Sequence, residues 1–282
     1  MFTRQLSGRP GAVVHHLRTT LGTMAVREYP AHEHGLGTAL LWHSTFADSR
    51  SWSRVAPALA LHRRLLIVDG PGCGTSSALT RVSNIAEGGE AAVQILDHLG
   101  VDQVDWVGNA WGGHTGLHVA ATAPERVRSL VTISTPVDAL PEHERRRIAL
   151  LARVLRVIGP VRPLRDAVAA VQLVDPHGPS RPTLDSAMRT PSRRSLATTV
   201  ESFVVRRADL WWALPHITAP TLVVATDQRE DFTPAHAEAA SRPIPRGRWA
   251  VLPGSRVLAP LEQPEATADL VTGFWLSLND QR

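Results

Sequence analysis

The sequence predicts an α/β fold in which a mainly parallel, doubly wound sheet carries helices on both faces and a helical cap. Short apolar runs alternate with helical patterns along most of the chain, which is typical of strands joined by crossover helices. The alternation stops between about residues 136 and 215, where only helical patterns remain. The 282 residues, 43% of them hydrophobic, suffice for one large core with such an insertion.

Eight strands are expected in this sheet. Residues 13–30 alternate apolar and polar side chains well enough for two strands. Helical patterns over 51–61, 84–99 and 111–123 lie between the following strands, and a last helix is expected over 262–278. Five further runs have the apolar signature of strands buried on both faces: TALLWH (38–43), RRLLIVDG (63–70), VDQVDWVG (101–108), VRSLVTIS (127–134) and APTLVVAT (219–226). RWAVLPG (248–254) is expected to supply the last strand.

The segment that interrupts the alternation is predicted to be a helical cap. It contains PEHERRRIALLARVLRVIG and SRRSLATTVESFVVRRADLWWAL, with loops rich in proline and arginine between them. We therefore predict a core formed by residues 1–135 and 216–282, with residues 136–215 inserted as the cap. Its place after the sixth strand would set it over the strand ends, where open α/β sheets bind ligands.

The charge composition argues against a nucleic-acid partner. The net charge is +4, but all 30 basic residues are arginines scattered along the chain, and 26 acidic residues almost match them. The single cysteine, Cys73, excludes an internal disulfide and a cysteine pair for a metal. Because no signal-peptide run and no stretch of about 18 apolar residues occurs, we expect a cytoplasmic monomer or homodimer without membrane contact, metal or cofactor.

Four segments carry the most specific pattern. A strand-to-helix turn with small residues, VGNAWGG, would point free N–H groups of a helix N-terminus at a developing oxyanion. The others are LLWHSTFADSRSW, VDGPGCGTSS and VLPGSRVLAPLEQPEA, each next to an expected strand. In this order the four segments resemble the α/β-hydrolase family, in particular its capped epoxide-hydrolase and dehalogenase-like members.

The resemblance implies that two positions of the catalytic triad are apolar in this chain. The nucleophile position falls on Ala110, at the turn that the family calls the nucleophile elbow. The histidine position falls on Val257, and the last histidine of the chain, His236, precedes that loop. Serine chemistry is therefore expected to be absent.

Candidate acids and bases remain. The resemblance places the family's acid at Asp231. His43 would be a structural residue near the site or a base, and His114, one helical turn after Ala110, would border the pocket or bond a neighbouring loop. Alternative acids are Glu230, Asp227 and Asp138.

The resemblance also implies a retained oxyanion hole, formed by the backbone N–H groups of Thr45 and Trp111. The pair Trp211 and Trp212 would line the ligand site or pack in the core. Cys73 is expected to be a buried small hydrophobe below the site. The positions expected to contact a small-molecule substrate or ligand are Ser44, Thr45, Phe46, Asn109, Ala110, Trp111 and Val257.

Three functional hypotheses follow. The first is a non-covalent acid–base enzyme of the lyase, isomerase, cyclase or decarboxylase type, acting on a bulky small molecule with the retained oxyanion donors. The second is a ligand-binding pseudoenzyme whose pocket is enlarged and dried by Ala110 and Val257. The third is a hydrolase that uses a water activated by Asp231 or His114. Histidines bonded to an acid would favour the enzyme, and histidines bonded to backbone carbonyls would favour the binding protein.

Overall fold

A computed structural model describes residues 12–31 and 37–279 and centres on one eight-stranded sheet. The strands are β1 (Val13–Thr19), β2 (Gly22–Tyr29), β3 (Thr38–Trp42), β4 (Arg64–Val68), β5 (Val104–Asn109), β6 (Val127–Ile133), β7 (Thr221–Thr226) and β8 (Gly247–Leu252). They are arranged in the order β1-β2-β4-β3-β5-β6-β7-β8. Only the pairings of β2 with β1 and β4 are antiparallel, so the predicted mainly parallel sheet is confirmed.

The burial of the strands follows the sequence pattern. Every residue of β3, β5 and β7 is buried, as continuous apolar runs predict for strands covered on both faces. The edge strands β1 and β8 are largely exposed or half-buried. Because β3 and β5 to β8 are parallel, their carboxyl ends meet at one edge of the sheet, where the loops of the candidate site lie.

Helices cover both faces of this sheet. Their bounds are α1 (Ala56–Leu59), α2 (Ile85–His98), α3 (Trp111–Thr122), α4 (Glu142–Ile158), α5 (Arg162–Gln172), α6 (Arg181–Arg189), α7 (Arg193–Val200), α8 (Pro234–Ser241), α9 (Ala259–Glu262) and α10 (Pro264–Asn279). The continuous helix expected over 51–61 is wrong, because a 3₁₀ turn over Ser49–Trp52 is followed only by the short α1. Pro57 has no N–H for the helical bond that would join the two segments.

Helices α4 to α7 are inserted between β6 and β7. They form a small core of their own, which includes Leu155, Leu184 and Met188, and join the rest of the molecule through Phe46 and Leu258. The long helix expected near the end of this segment ends early, since α7 passes into a π-helical turn, Glu201–Val205. The division of the chain into a core and a cap at residues 136 and 215 stays a prediction.

The turn from β5 to α3 requires glycine at close approach. A Cβ on Gly112 would lie 2.6 Å from the carbonyl carbon of Trp42 and closer still to its oxygen. One on Gly108 would overlap the backbone of Gly112, on the first turn of α3. Strand and helix therefore touch backbone to backbone, which is the tight turn that the VGNAWGG segment predicts.

We expect Gly112→Ala to lower the free energy of unfolding by about 1–3 kcal/mol or more, because the added methyl group overlaps backbone that cannot move aside. Gly273→Ala is the matched control in another helix, α10, where a Cβ would meet no atom within 4 Å. It should raise stability by up to about 1 kcal/mol through helix propensity. Urea unfolding of the three proteins measures both values, and equal stability of wild type and Gly112→Ala would contradict the close-packed turn.

Candidate functional site

A cavity of 610 Å³ lies at the carboxyl edge of the sheet. The loops that follow five parallel strands contribute to it: Ser44, Thr45 and Phe46 after β3, Ala110 and Trp111 after β5, Pro136 after β6, Arg229 to Asp231 after β7, and Arg256 and Val257 after β8. This is the edge at which open α/β sheets bind ligands. A volume of this size suits a drug-sized molecule.

The inserted helices form the opposite wall of the cavity. Most of the side chains they present are apolar, including Ile148 and Leu151 of α4 and Val168 of α5. Phe203, in the π-helical turn, stacks on the ring of Trp111 with ring centroids 4.3 Å apart. The insertion therefore contacts the elbow directly through an aromatic pair.

Ala110 occupies the apex of the strand-to-helix turn in a strained conformation. Its φ of 47° and ψ of −105° lie where residues with a Cβ are rarely found, at a cost of roughly 1–3 kcal/mol. The adjacent Trp111 is the first residue of α3. Neither its N–H nor that of Thr45 donates to an acceptor within the described part of the chain. The elbow thus keeps two available donors without a nucleophile.

The final loop lies against the elbow. Asn109 donates from Nδ2 to the carbonyl oxygens of Val257, at 2.8 Å, and Ile133, at 3.1 Å. Ala110 and Val257 both line the cavity. Asn109 itself does not line it, because this side chain is buried beneath the elbow and bonds backbone. Its expected role as a ligand contact is therefore corrected to that of a support for the loop.

His43 is also placed below the cavity and not on its wall. Its Nδ1 bonds the carbonyl oxygen of Ser44 at 2.7 Å, and its Nε2 accepts the N–H of Gly70 at 2.9 Å. Both ring nitrogens are therefore occupied, and burial holds the pKa of His43 below its ordinary value. The catalytic role considered for His43 is not supported, whereas the structural alternative is.

His114 lines the cavity but bonds backbone. Its Nε2 lies 2.7 Å from the carbonyl oxygen of Pro136, which can only accept, so the proton resides on Nε2. Nδ1 is buried and has no partner among the described residues. Burial, followed by the nearby charge of Arg207, lowers the pKa of His114 to about 3. The ring is thus a neutral acceptor at physiological pH and a weak base.

Asp231 lines the cavity with its carboxylate held by Arg229. The guanidinium bonds both carboxylate oxygens, one of them at 2.7 Å, and also donates to the carbonyl oxygen of Ser134 at 2.6 Å. Burial raises the pKa of Asp231, but the hydrogen bond from Arg229 and the charges of Arg229 and Arg207 together outweigh burial, so the net pKa lies below the ordinary value. The carboxylate is therefore fixed and ionised, which makes it a weak proton acceptor.

The other sequence-based candidates lie elsewhere, except one. Glu230 lines the cavity, but Asp227 accepts the N–H of Gly254 at 2.8 Å outside it. Asp138 is exposed and accepts a hydrogen bond from the indole N–H of Trp211 at 2.8 Å, away from the cavity.

Trp211 and Trp212 are 36% and 48% exposed, so they neither line the cavity nor pack in the core. Cys73 is buried as expected, and burial raises the pKa of its thiol.

The sequence analysis missed the polar groups that the inserted helices bring to the cavity. Arg207 and Gln172 line it, and each has a buried side-chain atom, Nε and Oε1 respectively, without a partner in the described residues. Arg147 lines it as well. In the sequence, both arginines stand in short basic runs, which alone indicate only a solvated surface. No pattern along the chain distinguishes the member of each run that turns inward.

Two features of the described residues concern a membrane and a metal. None of the helices in residues 12–31 and 37–279 has the length and hydropathy needed to cross a membrane. Over the same residues, no group of three or more His, Cys, Asp or Glu side chains is arranged to hold a metal ion.

A family model and a solved structure are similar to the part of the chain that contains the sheet and the elbow. A family model described as "alpha/beta hydrolase fold" matches residues 34–160, which include β3 to β6 and α3. The solved structure of a hydrolase from Pseudomonas aeruginosa PA01 superposes with a TM-score of 0.83 over 93% of this chain and 98% of that one, at 25% identity.

Two curated relatives match a shorter part of the chain. Over 100 residues it is 37% identical to the dihydrolipoyllysine-residue acetyltransferase component of the acetoin cleaving system of Pseudomonas putida, covering 35% of this chain and 27% of that protein. Over 102 residues it is 31% identical to a 2-hydroxy-6-oxononadienedioate/2-hydroxy-6-oxononatrienedioate hydrolase of Cupriavidus pinatubonensis, covering 34% and 35%. The chain therefore matches well under half the length of these two relatives.

We expect the free energy of unfolding to decrease as the pH is lowered, because His114 is buried in its neutral form. Its pKa is about 3 when folded and about 6.5 when unfolded, so the unfolded chain binds the extra proton between these values. The contribution is complete above about pH 6.5 and is lost toward pH 3, at about 1.4 kcal/mol per pH unit. Urea unfolding at pH 7.5 and 5.5 measures this slope.

The variant for this test is His114→Gln, whose amide can still donate to Pro136. It should flatten the slope by about one proton, leaving the part due to His43. The matched control is His143→Gln, whose side chain is 76% exposed in α4. An unchanged slope in His114→Gln would show that His114 titrates normally in the folded protein.

Proposed function

We propose that this chain, which has the alpha/beta hydrolase fold, binds an oxygen-bearing small molecule in the cavity and does not hydrolyse it through a covalent intermediate. One observation carries the proposal. The elbow keeps its strained backbone and two available N–H donors, Trp111 and Thr45, while the positions that would react, Ala110 and Val257, are apolar. Donors preorganised in this way bind a carbonyl or carboxylate oxygen whether or not a nucleophile stands beside them.

The acid–base groups near the elbow support a binding function over catalysis. Both nitrogens of His43 are bonded to backbone, and His114 is neutral with its N–H on Pro136. Asp231 is bound by Arg229. A general base needs a pKa near the working pH and a free lone pair directed at the substrate. None of these three groups meets both conditions.

The shape and chemistry of the cavity support an amphipathic ligand. Replacing a triad serine and histidine by Ala110 and Val257 removes buried polar groups that would need hydrogen-bond partners. Most of the side chains that the inserted helices present to the cavity are apolar, and those helices would serve as the cap that shields a bound ligand from water. The ligand would place its oxygen at the elbow and its apolar body against α4 and α5.

A second candidate is a non-covalent acid–base enzyme, and the position of Asp231 favours it. This carboxylate faces the same cavity as the oxyanion donors, and several relatives of the chain, including that of C. pinatubonensis, are named as hydrolases. In that case Asp231→Asn would abolish turnover while leaving ligand affinity intact. In a binding protein the same change would leave no turnover to lose.

We expect Ala110→Ser alone not to create an esterase. A serine hydroxyl needs an oriented base to take its proton, and Val257 provides none. In the double variant Ala110→Ser with Val257→His, Asp231 would be the acid of the triad. This variant should give weak turnover of p-nitrophenyl butyrate, and adding Asp231→Asn should reduce that turnover. Wild type should not be labelled by a fluorophosphonate probe.

Wild-type labelling is checked by intact mass, with Ser44→Ala as the control for the serine of the oxyanion loop. Stoichiometric labelling of wild type, or esterase activity in Ala110→Ser alone comparable to that of the double variant, would contradict the proposal. Either result would mean that another residue supplies the base, and His114, which lines the same cavity, is the first candidate.

A further inference from the structure

Arg207 is a cavity-lining arginine whose guanidinium forms no hydrogen bond or ion pair with the described residues. It follows the π-helical turn, and its backbone N–H donates to the carbonyl of Val204 at 3.1 Å. Its Nε is buried and bonds no described residue. The nearby carboxylates of Asp231, Glu144 and Asp138 act on it only through space, without a hydrogen bond.

The other arginines of the cavity are already engaged or solvated. Arg229 bonds both oxygens of Asp231 and the carbonyl of Ser134. Arg256 donates to the carbonyls of Gln228, at 3.0 Å, and Ala170. Arg147 is exposed. Arg207 is therefore the guanidinium of this wall that is partly withdrawn from water and still has donors to offer.

The surroundings of Arg207 disfavour its own charge. Burial, and next the charge of Arg229, lower the pKa of Arg207 below its ordinary value. A guanidinium that loses water without gaining an acceptor destabilises the folded protein. An anion in the cavity would supply the missing acceptors and offset that cost. A charged hydrogen-bond donor that is partly shielded from water favours binding of an anionic group.

We propose that Arg207 binds the carboxylate of the ligand, so that the site selects amphipathic monocarboxylic acids. This deepens the proposed function and rests on it. The formal charges of the cavity support a single anionic group, because four arginines and three carboxylates line it: Arg147, Arg207, Arg229, Arg256, Glu144, Glu230 and Asp231. One further negative charge neutralises the cavity, whereas a phosphate, with a charge of roughly −1.5 to −2, exceeds it.

The test compares three probes with eight carbon atoms each, octanoate, 1-octanol and octyl phosphate, by isothermal titration calorimetry on the full chain at pH 7.5. Wild type should bind octanoate about tenfold or more tightly than 1-octanol, since a hydrogen bond to a charged group is worth about 1.5–3 kcal/mol. Octyl phosphate should bind more weakly than octanoate. Arg207→Gln should abolish the preference for octanoate over 1-octanol without changing affinity for 1-octanol.

Arg206→Gln is the matched control, because it removes the same charge one residue away on an exposed side chain outside the cavity. It should keep the preference for octanoate. If Arg207→Gln does not fold, Arg207→Lys serves instead and should retain only part of the preference, since an ammonium cannot form the two parallel bonds of a guanidinium.

The outcomes separate the two proposals. Binding of 1-octanol with no preference for octanoate, or equal loss of preference in Arg206→Gln and Arg207→Gln, would overturn the role of Arg207 and leave ligand binding standing. Tighter binding of octyl phosphate than of octanoate would overturn the assignment to a carboxylate. Failure of all three probes to bind would overturn both the proposed function and this inference.

Discussion

The contact between Gly112 and the carbonyl of Trp42 is the constraint on which the candidate site depends. Gly112 donates its N–H to the carbonyl oxygen of His43 at 3.2 Å, which fixes the first turn of α3 against the end of β3. With strand and helix this close, the chain can turn between them only through a residue at positive φ, and that residue is Ala110. The strain of the elbow therefore follows from packing and persists without a nucleophile.

The position of the final loop, like that of the elbow, does not depend on a reactive side chain. The backbone of Val257 is bonded on both sides, its carbonyl by Asn109 and its N–H by the carbonyl of Gln172 at the end of α5. None of these bonds uses the side chain of residue 257. The loop therefore keeps its place beside Ala110 through backbone bonds alone, with valine where the family resemblance puts histidine.

The sheet was predictable because its signals are local. Continuous apolar runs such as 38–43 and 219–226 and the small residues of VGNAWGG specify buried parallel strands and a tight turn without reference to distant parts of the chain. The elbow, the final loop and Asp231 were accessible through the order of the motifs. The roles of His43, His114 and Arg207 were not, since a side chain's hydrogen bonds depend on which backbone groups folding brings next to it.

The polar atoms around the cavity distinguish a purely apolar pocket from one that offers polar groups to a ligand. If Ala110 and Val257 only enlarged an apolar cavity, the rest of the cavity wall should also lack polar atoms without partners. Instead, within the described residues, buried atoms of four lining side chains remain unpartnered: Trp111 Nε1, His114 Nδ1, Gln172 Oε1 and Arg207 Nε. Native proteins satisfy most buried polar groups, and four of the ten exceptions among the described residues border this one cavity. Two of the four belong to the inserted segment, so under the proposed binding function this segment would supply part of the recognition while the elbow would supply backbone donors.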